Sequence, residues 1–386
     1  MSETVNSSFL LVGYTPSKRM LRQKPATSVQ FKRGLKKLKI SEPKPWDVIP
    51  ADKTIHTLTP KVDADGKETG SWFGLRDNEI YSINPPIEVG RLDVVTTGHT
   101  LTTTEFESGL LASATYDENT IVACGWGSPL MILDVKAGFN ILYRSEQTYR
   151  YQNDYPSLWC NFSRCLALHK PYVYMVARDT NHVIRFNIPE LKRLNPGNSA
   201  VRTYNVQASE ICVDGTGLLY SITKKGRIDR EGAFFHQIAD PSSQVWNGLT
   251  HNKRQGRHGY ILAAGSSTGQ VVLIDKFGIE RSRASVNSHT GYTEIMRIHT
   301  FTLGKLEFAV LGKEYHSMSL VAIHRHQIHV VKANLGLEKD NHQDYFTSGE
   351  QKLISGIFLR EQTACGHRRE IIVSRSGGLS SFIFSL

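Results

Sequence analysis

The feature that most constrains the fold is a β-hairpin that recurs seven times along the sequence. Pairs of short β-rich runs are joined by tight turns, which lie 43 to 64 residues apart. The turns centre near Asn78, Ser128, Asn181, Gly226, Gly269, Glu314 and Gly378. A period of about 40–50 residues is typical of four-stranded propeller blades. No long stretch keeps the 3.6-residue apolar period of an amphipathic helix. The pattern therefore predicts an all-β, seven-bladed β-propeller.

Each hairpin has room for one further strand before it and one after it. The paired runs are 71–75 with 79–83, 120–124 with 130–134, 172–177 with 182–186, 218–222 with 227–229, 260–264 with 270–274, 306–311 with 318–323, and 370–374 with 379–384. β-rich runs at 110–116 and 139–144 flank the second hairpin, and runs at 294–301 and 327–331 flank the sixth. We expect residues 51–386 to form the propeller and residues 1–50 to form a closing strand and a basic arm.

Short motifs give this period a family resemblance. Gly98-His99 and Ser288-His289 precede the second and sixth hairpins, and three hairpins end in Leu133-Asp134, Phe186-Asn187 and Ile274-Asp275. A literal Trp46-Asp47 pair precedes the first hairpin. From about Lys53 to Leu386 the chain resembles the WD-repeat β-propellers. The resemblance implies blades in which the His and Asp of an intact repeat are linked through a buried hydrogen-bond network.

The last blade needs a strand from elsewhere in the chain. The run 379–384 ends almost at the final residue, so it leaves no residues for a fourth strand. An unpaired outer edge invites aggregation, and WD-repeat propellers commonly close the ring with an N-terminal strand. The most strand-like candidate is 7–14, and 28–31 is the second.

The positive charge is concentrated in one segment. Residues 18–44 carry nine of the ten net positive charges, with Glu42 as their single acid. The candidate binding residues there are Lys18, Arg19, Arg22, Lys24, Lys32, Arg33, Lys36, Lys37 and Lys39. Such a segment acts on polyanions, so it predicts contact with DNA or RNA. Residues 31–40 also resemble a nuclear-import signal. A solvated tether is the alternative.

Two further kinds of loop are candidates for contact. Basic clusters at 224–227, 252–258 and 366–369 are either solvated hairpin tips or a rim that contacts phosphates. The densest aromatic patch holds Tyr149, Arg150, Tyr151, Tyr155 and Trp159. Because Tyr, Trp and Arg dominate interaction hot spots, this patch is a possible partner-binding loop. Packing of a long loop against the propeller is the alternative.

The sequence lacks the residue patterns that catalysis or metal binding requires. It has no phosphate-binding loop and no His-Glu-x-x-His pair, and the Gly-x-Ser-x-Gly string at 265–269 is followed by a strand rather than a helix. In one strand, His324 and His326 would share a face and His329 would point away, so we expect surface histidines and no metal site. We expect no enzyme activity and no cofactor.

Cellular context follows from two further observations. The five cysteines are scattered and odd in number, which favours reduced thiols inside the cell. No apolar run approaches the roughly 20 residues of a membrane-spanning helix, so we expect no membrane span.

These features predict a non-enzymatic interaction scaffold. Its partners would be protein subunits of a nuclear complex that acts on DNA or RNA. One alternative is a substrate receptor of a ubiquitin ligase, although no Trp-Asp-x-Arg sequence occurs. A propeller that binds anionic lipid is another, and the cytoplasm is the alternative location.

Overall fold

The computed structural model of the chain is a ring of seven four-stranded antiparallel blades. It describes residues 26–42, 44–46, 55, 57–76, 79–84, 93–100, 110–125, 128–145, 166–177, 182–193, 197–204, 206–239, 245–252, 259–265, 269–286, 295–313, 317–336, 354–361, 368–375 and 378–386. All seven predicted hairpins are confirmed, and each supplies the second and third strands of its blade.

Blades one to six each take four consecutive strands. Their bounds are β3 Thr57–Val62, β4 Glu68–Arg76, β5 Glu79–Asn84 and β6 Asp93–Thr100; β7 Leu110–Asp117, β8 Thr120–Gly125, β9 Ser128–Asp134 and β10 Asn140–Arg144; β11 Leu166–His169, β12 Tyr172–Ala177, β13 His182–Asn187 and β14 Val201–Tyr204; β15 Glu210–Val213, β16 Leu219–Ile222, β17 Arg227–Arg230 and β18 Ala233–Gln237; β19 Trp246–His251, β20 Tyr260–Gly265, β21 Gln270–Asp275 and β22 Glu280–Ser285; β23 Ile295–Leu303, β24 Leu306–Lys313, β25 Ser317–His324 and β26 Gln327–Gly336. A short helix, Ile188–Leu191, lies between β13 and β14.

The first strand of each blade lines the centre of the ring. Each of these strands contacts the first strand of the next blade, and that of blade seven contacts β3, which completes the circle. The core lies between neighbouring blades and is formed mainly by their inner strands, whereas the fourth strands are largely exposed. In blade five, for example, every residue of β20 is buried. Closure of the sheet in this way leaves only short outer edges.

Blade seven is completed by the N-terminal segment. Its own strands are β27 Ile354–Glu361, β28 Arg368–Arg375 and β29 Gly378–Ser385. Two short strands, β1 Lys39–Ile40 and β2 Lys44–Trp46, pair with the outer edge of β29. Between them Ser41 donates its N–H to the Ile383 carbonyl and accepts the Ile383 N–H on its hydroxyl, both at 2.9 Å. Closure by an N-terminal strand is therefore confirmed.

The position of the closing strand differs from the expectation. The second candidate, 28–31, begins a helix, α1 Ser28–Lys37. The first candidate, 7–14, lies outside the described residues. The Trp46-Asp47 pair, which had no strand assigned to it, overlaps the end of β2, where Trp46 is opposite Leu379.

The Trp-Asp-like pairs end the third strands of their blades. Asp134 and Asp275 close β9 and β21, and Asn187 closes β13. Each of these side chains caps its own turn: the Asp275 Oδ1, for example, accepts the N–H groups of Phe277 and Ile279 at 2.9 and 3.0 Å. Burial alone would raise the pKa of Asp275, but these bonds and Arg281 lower it. These three side chains therefore occupy the position of the Asp in a WD repeat, and each stabilises the turn that follows it.

Candidate interaction surface on the N-terminal helix

The helix α1 has a sequence that favours helix at both ends. Thr27 is its N-cap: the Thr27 hydroxyl accepts the Gln30 N–H, and the Gln30 side chain accepts the Thr27 N–H. This reciprocal pair is a capping box. Lys36 and Lys37 occupy the last turn, where positive charge complements the helix dipole.

One face of α1 is apolar and packs on the propeller. Phe31, Leu35 and Leu38 follow the i, i+4, i+7 spacing of a single helix face. Phe31, only 5% exposed, belongs to the core between blades six and seven, and the half-buried Leu35 and Leu38 pack against that core. Gly34 permits the close approach, because a Cβ there would lie 2.4 Å from the Leu306 Cδ1. The basic segment therefore buries substantial apolar surface, contrary to a simple tether.

Histidines hold the N-terminal turn of the helix. The Phe31 ring stacks on His324, with centroids 4.4 Å apart and planes 11° apart, and lies tilted on His329 at 5.0 Å. The Ser28 hydroxyl lies 3.4 Å from the His324 Nε2. Arg325 and His326 form a two-residue turn with positive φ, so the chain reverses and His324 and His329 share a sheet face. The expected face assignment was wrong, because it assumed one strand through these residues, whereas a turn at Arg325 and His326 separates two strands. His324 and His329 are half-buried under the Phe31 ring.

These contacts place α1 on one end of the propeller. Leu306 follows the turn between the first and second strands of blade six, and His324 precedes the turn between the third and fourth. We call the end of the ring that carries these two kinds of turn the α1 face.

The opposite side of the helix carries the predicted basic residues. Lys32, Arg33, Lys36 and Lys37 are exposed, and exposed Lys39 follows in β1. None of the five is ion-paired within the described part of the chain. Lys32 and Lys36, like Arg33 and Lys37, are i, i+4 neighbours of equal charge, an arrangement that destabilises a helix by about 0.2–0.5 kcal/mol per pair. A bound polyanion would remove this repulsion.

The remaining predicted residues are separated from this surface or lie outside the described residues. Lys18, Arg19, Arg22 and Lys24 lie outside, and so do Tyr149, Arg150, Tyr151, Tyr155 and Trp159. Of the basic clusters, 224–227 forms a turn between the second and third strands of blade four, at the end of the ring opposite the α1 face. Residues 253–258 and 366–367 of the other two clusters lie outside the described residues. Arg369 is buried, at 4% exposed.

Metal and membrane chemistry can be assessed only over the described residues. They contain no group of three or more His, Cys, Asp or Glu side chains placed to hold a metal ion. Cys124 and Cys212 are buried and form no disulfide, and burial, followed by the charges of Asp214 and Glu210, raises the pKa of Cys212. Within the same part of the chain, no helix is both long and apolar enough to cross a membrane.

Comparisons with known proteins agree with this architecture. Comparison of the sequence with protein-family models and with curated proteins gives no match. Among solved structures, the chain is similar to one from the crystal structure of the mitotic checkpoint complex, with a TM-score of 0.57, 8% identity, and coverage of 89% of this chain and 93% of that one. It is also similar to the WD40 β-propeller domain of Doa1, with a TM-score of 0.53, 11% identity, and coverage of 90% and 97%.

The fold is a WD40-type β-propeller. At these identities the likeness shows the fold alone, and a fold does not by itself define a function. The statements about the basic helix α1 of this WD40-type propeller rest on the chain's own sequence and contacts and not on these comparisons.

Proposed function

We propose that this chain is a non-catalytic scaffold subunit of a nuclear complex that acts on DNA or RNA, and that α1 is its polyanion-binding surface. The observation that carries the proposal is a row of exposed cations, Lys32, Arg33, Lys36, Lys37 and Lys39, on a segment whose other side is packed on the propeller. Among the described residues none of these cations has an ion-pair partner. Protein subunits would occupy other surfaces of the ring.

The physical support is electrostatic. The body of the chain is almost neutral, so a polyanion experiences its strongest attraction near the N-terminal segment. Side chains fixed on a docked helix lose less freedom on binding than those of a free tail. Lys and Arg contacts of this kind position phosphates and carry no base information, so we expect little sequence preference.

Salt dependence of duplex DNA binding tests the proposal. Each phosphate contact contributes a slope of about −0.9 to the logarithm of affinity against the logarithm of salt. Changing Lys32, Arg33, Lys36, Lys37 and Lys39 to Gln should flatten the slope by up to about four or five. Binding would be measured by fluorescence anisotropy over a range of salt concentrations.

A matched variant separates local geometry from net charge. Lys67, Lys136, Arg202, Lys224 and Lys225 are all exposed and belong to blades one to four, whereas α1 packs between blades six and seven. Their replacement by Gln removes the same total charge and should leave the slope nearly unchanged. Equal slopes for parent and α1 variant would contradict the proposed DNA contact.

Nuclear import is tested with the same α1 variant. If residues 31–40 are an import signal, a fluorescent fusion of the variant should accumulate in the cytoplasm, and the matched variant should stay nuclear. A variant that retains both its salt slope and its nuclear residence would leave α1 as a structural clamp.

A further inference from the structure

A second candidate site lies on the α1 face, between blades four and five. A cavity of about 200 Å³ opens there. Its walls come from the turn before β16, the end of β17, the end of β19, the start of β20 and the turn after β21. The residues used below are Asp214, Leu218, Tyr220, Arg230 and Lys276, all of which line it.

The cavity carries more available positive than negative charge. Arg230 and Lys276 have no ion-pair partner within the described part of the chain. The Arg230 Cζ lies 5.0 Å from the centroid of the Phe235 ring, and the guanidinium forms a hydrogen bond with the Tyr220 hydroxyl. These two contacts hold the guanidinium in place. Asp214 is the opposing acid. Its Oδ1 accepts the Thr216 and Leu218 N–H groups and the Thr216 hydroxyl, so its own turn satisfies this oxygen.

Large apolar side chains that are not buried lie in the cavity wall, at Leu218, and in the turn that follows its lining residue Lys276, at Phe277 and Ile279. Phe277, directly after Lys276, is 69% exposed, Ile279 is 48% exposed, and Leu218 is 37% exposed. Clustered exposed apolar side chains of this size mark interaction sites more often than neutral surface.

The turn that presents Phe277 is rigidly fixed. The Asp275 carboxylate accepts the N–H groups of Phe277 and Ile279. The Gly278 carbonyl lies 2.8 Å from the His236 Nδ1 of blade four. Gly278 has a φ of +81°, and a Cβ there would lie 2.6 Å from the Phe235 carbonyl oxygen. Contacts from two blades therefore prevent this turn from folding its aromatic ring into the protein, and such preorganisation favours binding.

We propose that this site binds a partner-protein segment in which an Asp or Glu side chain neighbours a large apolar side chain. The carboxylate enters the cavity and accepts hydrogen bonds from Arg230 and Lys276, and the apolar side chain covers Phe277 and Ile279. An Arg guanidinium can hold a carboxylate through two parallel hydrogen bonds. A nucleic acid fits less well, because the apolar side chains beside the cavity offer nothing to a phosphate backbone. The inference is independent of the polyanion surface on α1.

Selection from a library of short random peptides displayed on phage tests the proposal with the full chain as bait. Selected sequences are then synthesised with a fluorophore and an amidated C-terminus, and their affinities are measured by fluorescence polarisation. We expect the selected peptides to contain Asp or Glu within two positions of an aromatic or large aliphatic residue. Amidation should preserve binding, since the carboxylate comes from a side chain.

Variants locate the binding site. Lys276→Gln and, separately, Phe277→Ser should each weaken binding by about tenfold or more. Both side chains lie at the surface, so the fold should be retained, which thermal unfolding would verify. Lys224→Gln with Lys225→Gln, at the opposite end of the ring, is the matched control and should bind like the parent.

Four results would overturn the proposal. These are failure to select any binding peptide, selected peptides without an acidic residue, loss of binding on amidation, and equal affinity for the parent and the Lys276→Gln and Phe277→Ser variants. Loss of amidated-peptide binding would assign the cavity to C-terminal carboxylates instead. None of these results bears on the salt slope of α1, so the two proposals fail separately.

Discussion

The α1 face is covered over blade six and uncovered at the junction of blades four and five. Over blade six the helix buries its apolar side, so that the surface presented to solvent there is basic. At the other junction no described segment covers Phe277 and Ile279, and apolar side chains remain at the surface beside a charged cavity. One end of a single ring therefore offers two different chemistries, and the difference comes from the N-terminal segment, residues 26–46.

The largest effect should come from removal of that segment. Deletion of residues 1–50 exposes the edge of β29 and removes α1 from the core, so we expect the free energy of unfolding to fall by more than about 5 kcal/mol. Equilibrium denaturation measures this. Deletion of residues 1–25 is the control, since it leaves every described contact of α1, β1 and β2 in place. A 1–50 deletion that unfolds like the parent would contradict closure by the N-terminal segment.

The same substitution at two phenylalanines compares the covered and uncovered parts directly. Phe31→Ala removes a ring that is 5% exposed and stacked on His324, so it should cost about 3–4 kcal/mol. Phe277→Ala removes a ring that is 69% exposed and should change stability by less than about 0.5 kcal/mol. Urea unfolding of both variants measures the difference. Equal costs would show that the two rings do not differ in burial.

Gly34→Ala tests how closely α1 approaches blade six. Alanine is favoured in a helix by up to about 1 kcal/mol, but its Cβ would lie 2.4 Å from the buried Leu306. We expect a net loss of about 1–2 kcal/mol, measured by denaturation. A second substitution, Leu306→Ala, should then cost less in the Gly34→Ala background than in the parent. Stabilisation by Gly34→Ala alone would mean that the helix lies further from the blade.

The smallest effect should be a pH dependence through His324. Burial, followed by the positive charges of Arg325 and His329, lowers the pKa of His324 from 6.5. Well above pH 6.5 the ring is neutral in both folded and unfolded chains. As the pH falls through 6.5 the unfolded chain takes up the proton first, so stability decreases until the pH lies below the folded pKa.

Unfolding midpoints between about pH 8 and pH 5 measure this dependence. His324→Phe keeps an aromatic ring against Phe31 and removes the titrating group, so its midpoint should change less over the same pH range. Parallel curves for parent and variant would exclude His324 as the source.

The hairpins could be predicted because their signal is local. Each has two runs of β-forming residues around a turn, and seven of them at a regular spacing define the ring. The closing strands carry no such signal. β1 and β2 have only two and three residues, and Pro45 lies within β2, where an outermost strand tolerates it.

The sequence of α1 carries two signals, one typical of a strand and one typical of a helix. Val29 and Phe31 alternate as in a strand, which favoured 28–31 as a closing strand. The capping box at Thr27 and Gln30, and the spacing of Phe31 and Leu35, indicate the helix that forms. The cavity between blades four and five could not be predicted, because the ring brings together residues from Asp214 to Lys276 that share no local pattern.

Amide hydrogen exchange tests most directly the central claim, that residues 26–46 are a packed part of the propeller and present their basic side from a fixed position. In the full chain we expect the amides of Leu35, Leu38 and Ser41 to exchange on the order of 10³-fold more slowly than in an unstructured peptide. Their protection should fall together with that of β29 when urea is added. Exchange of these amides at unstructured rates, while β29 stays protected, would contradict the claim.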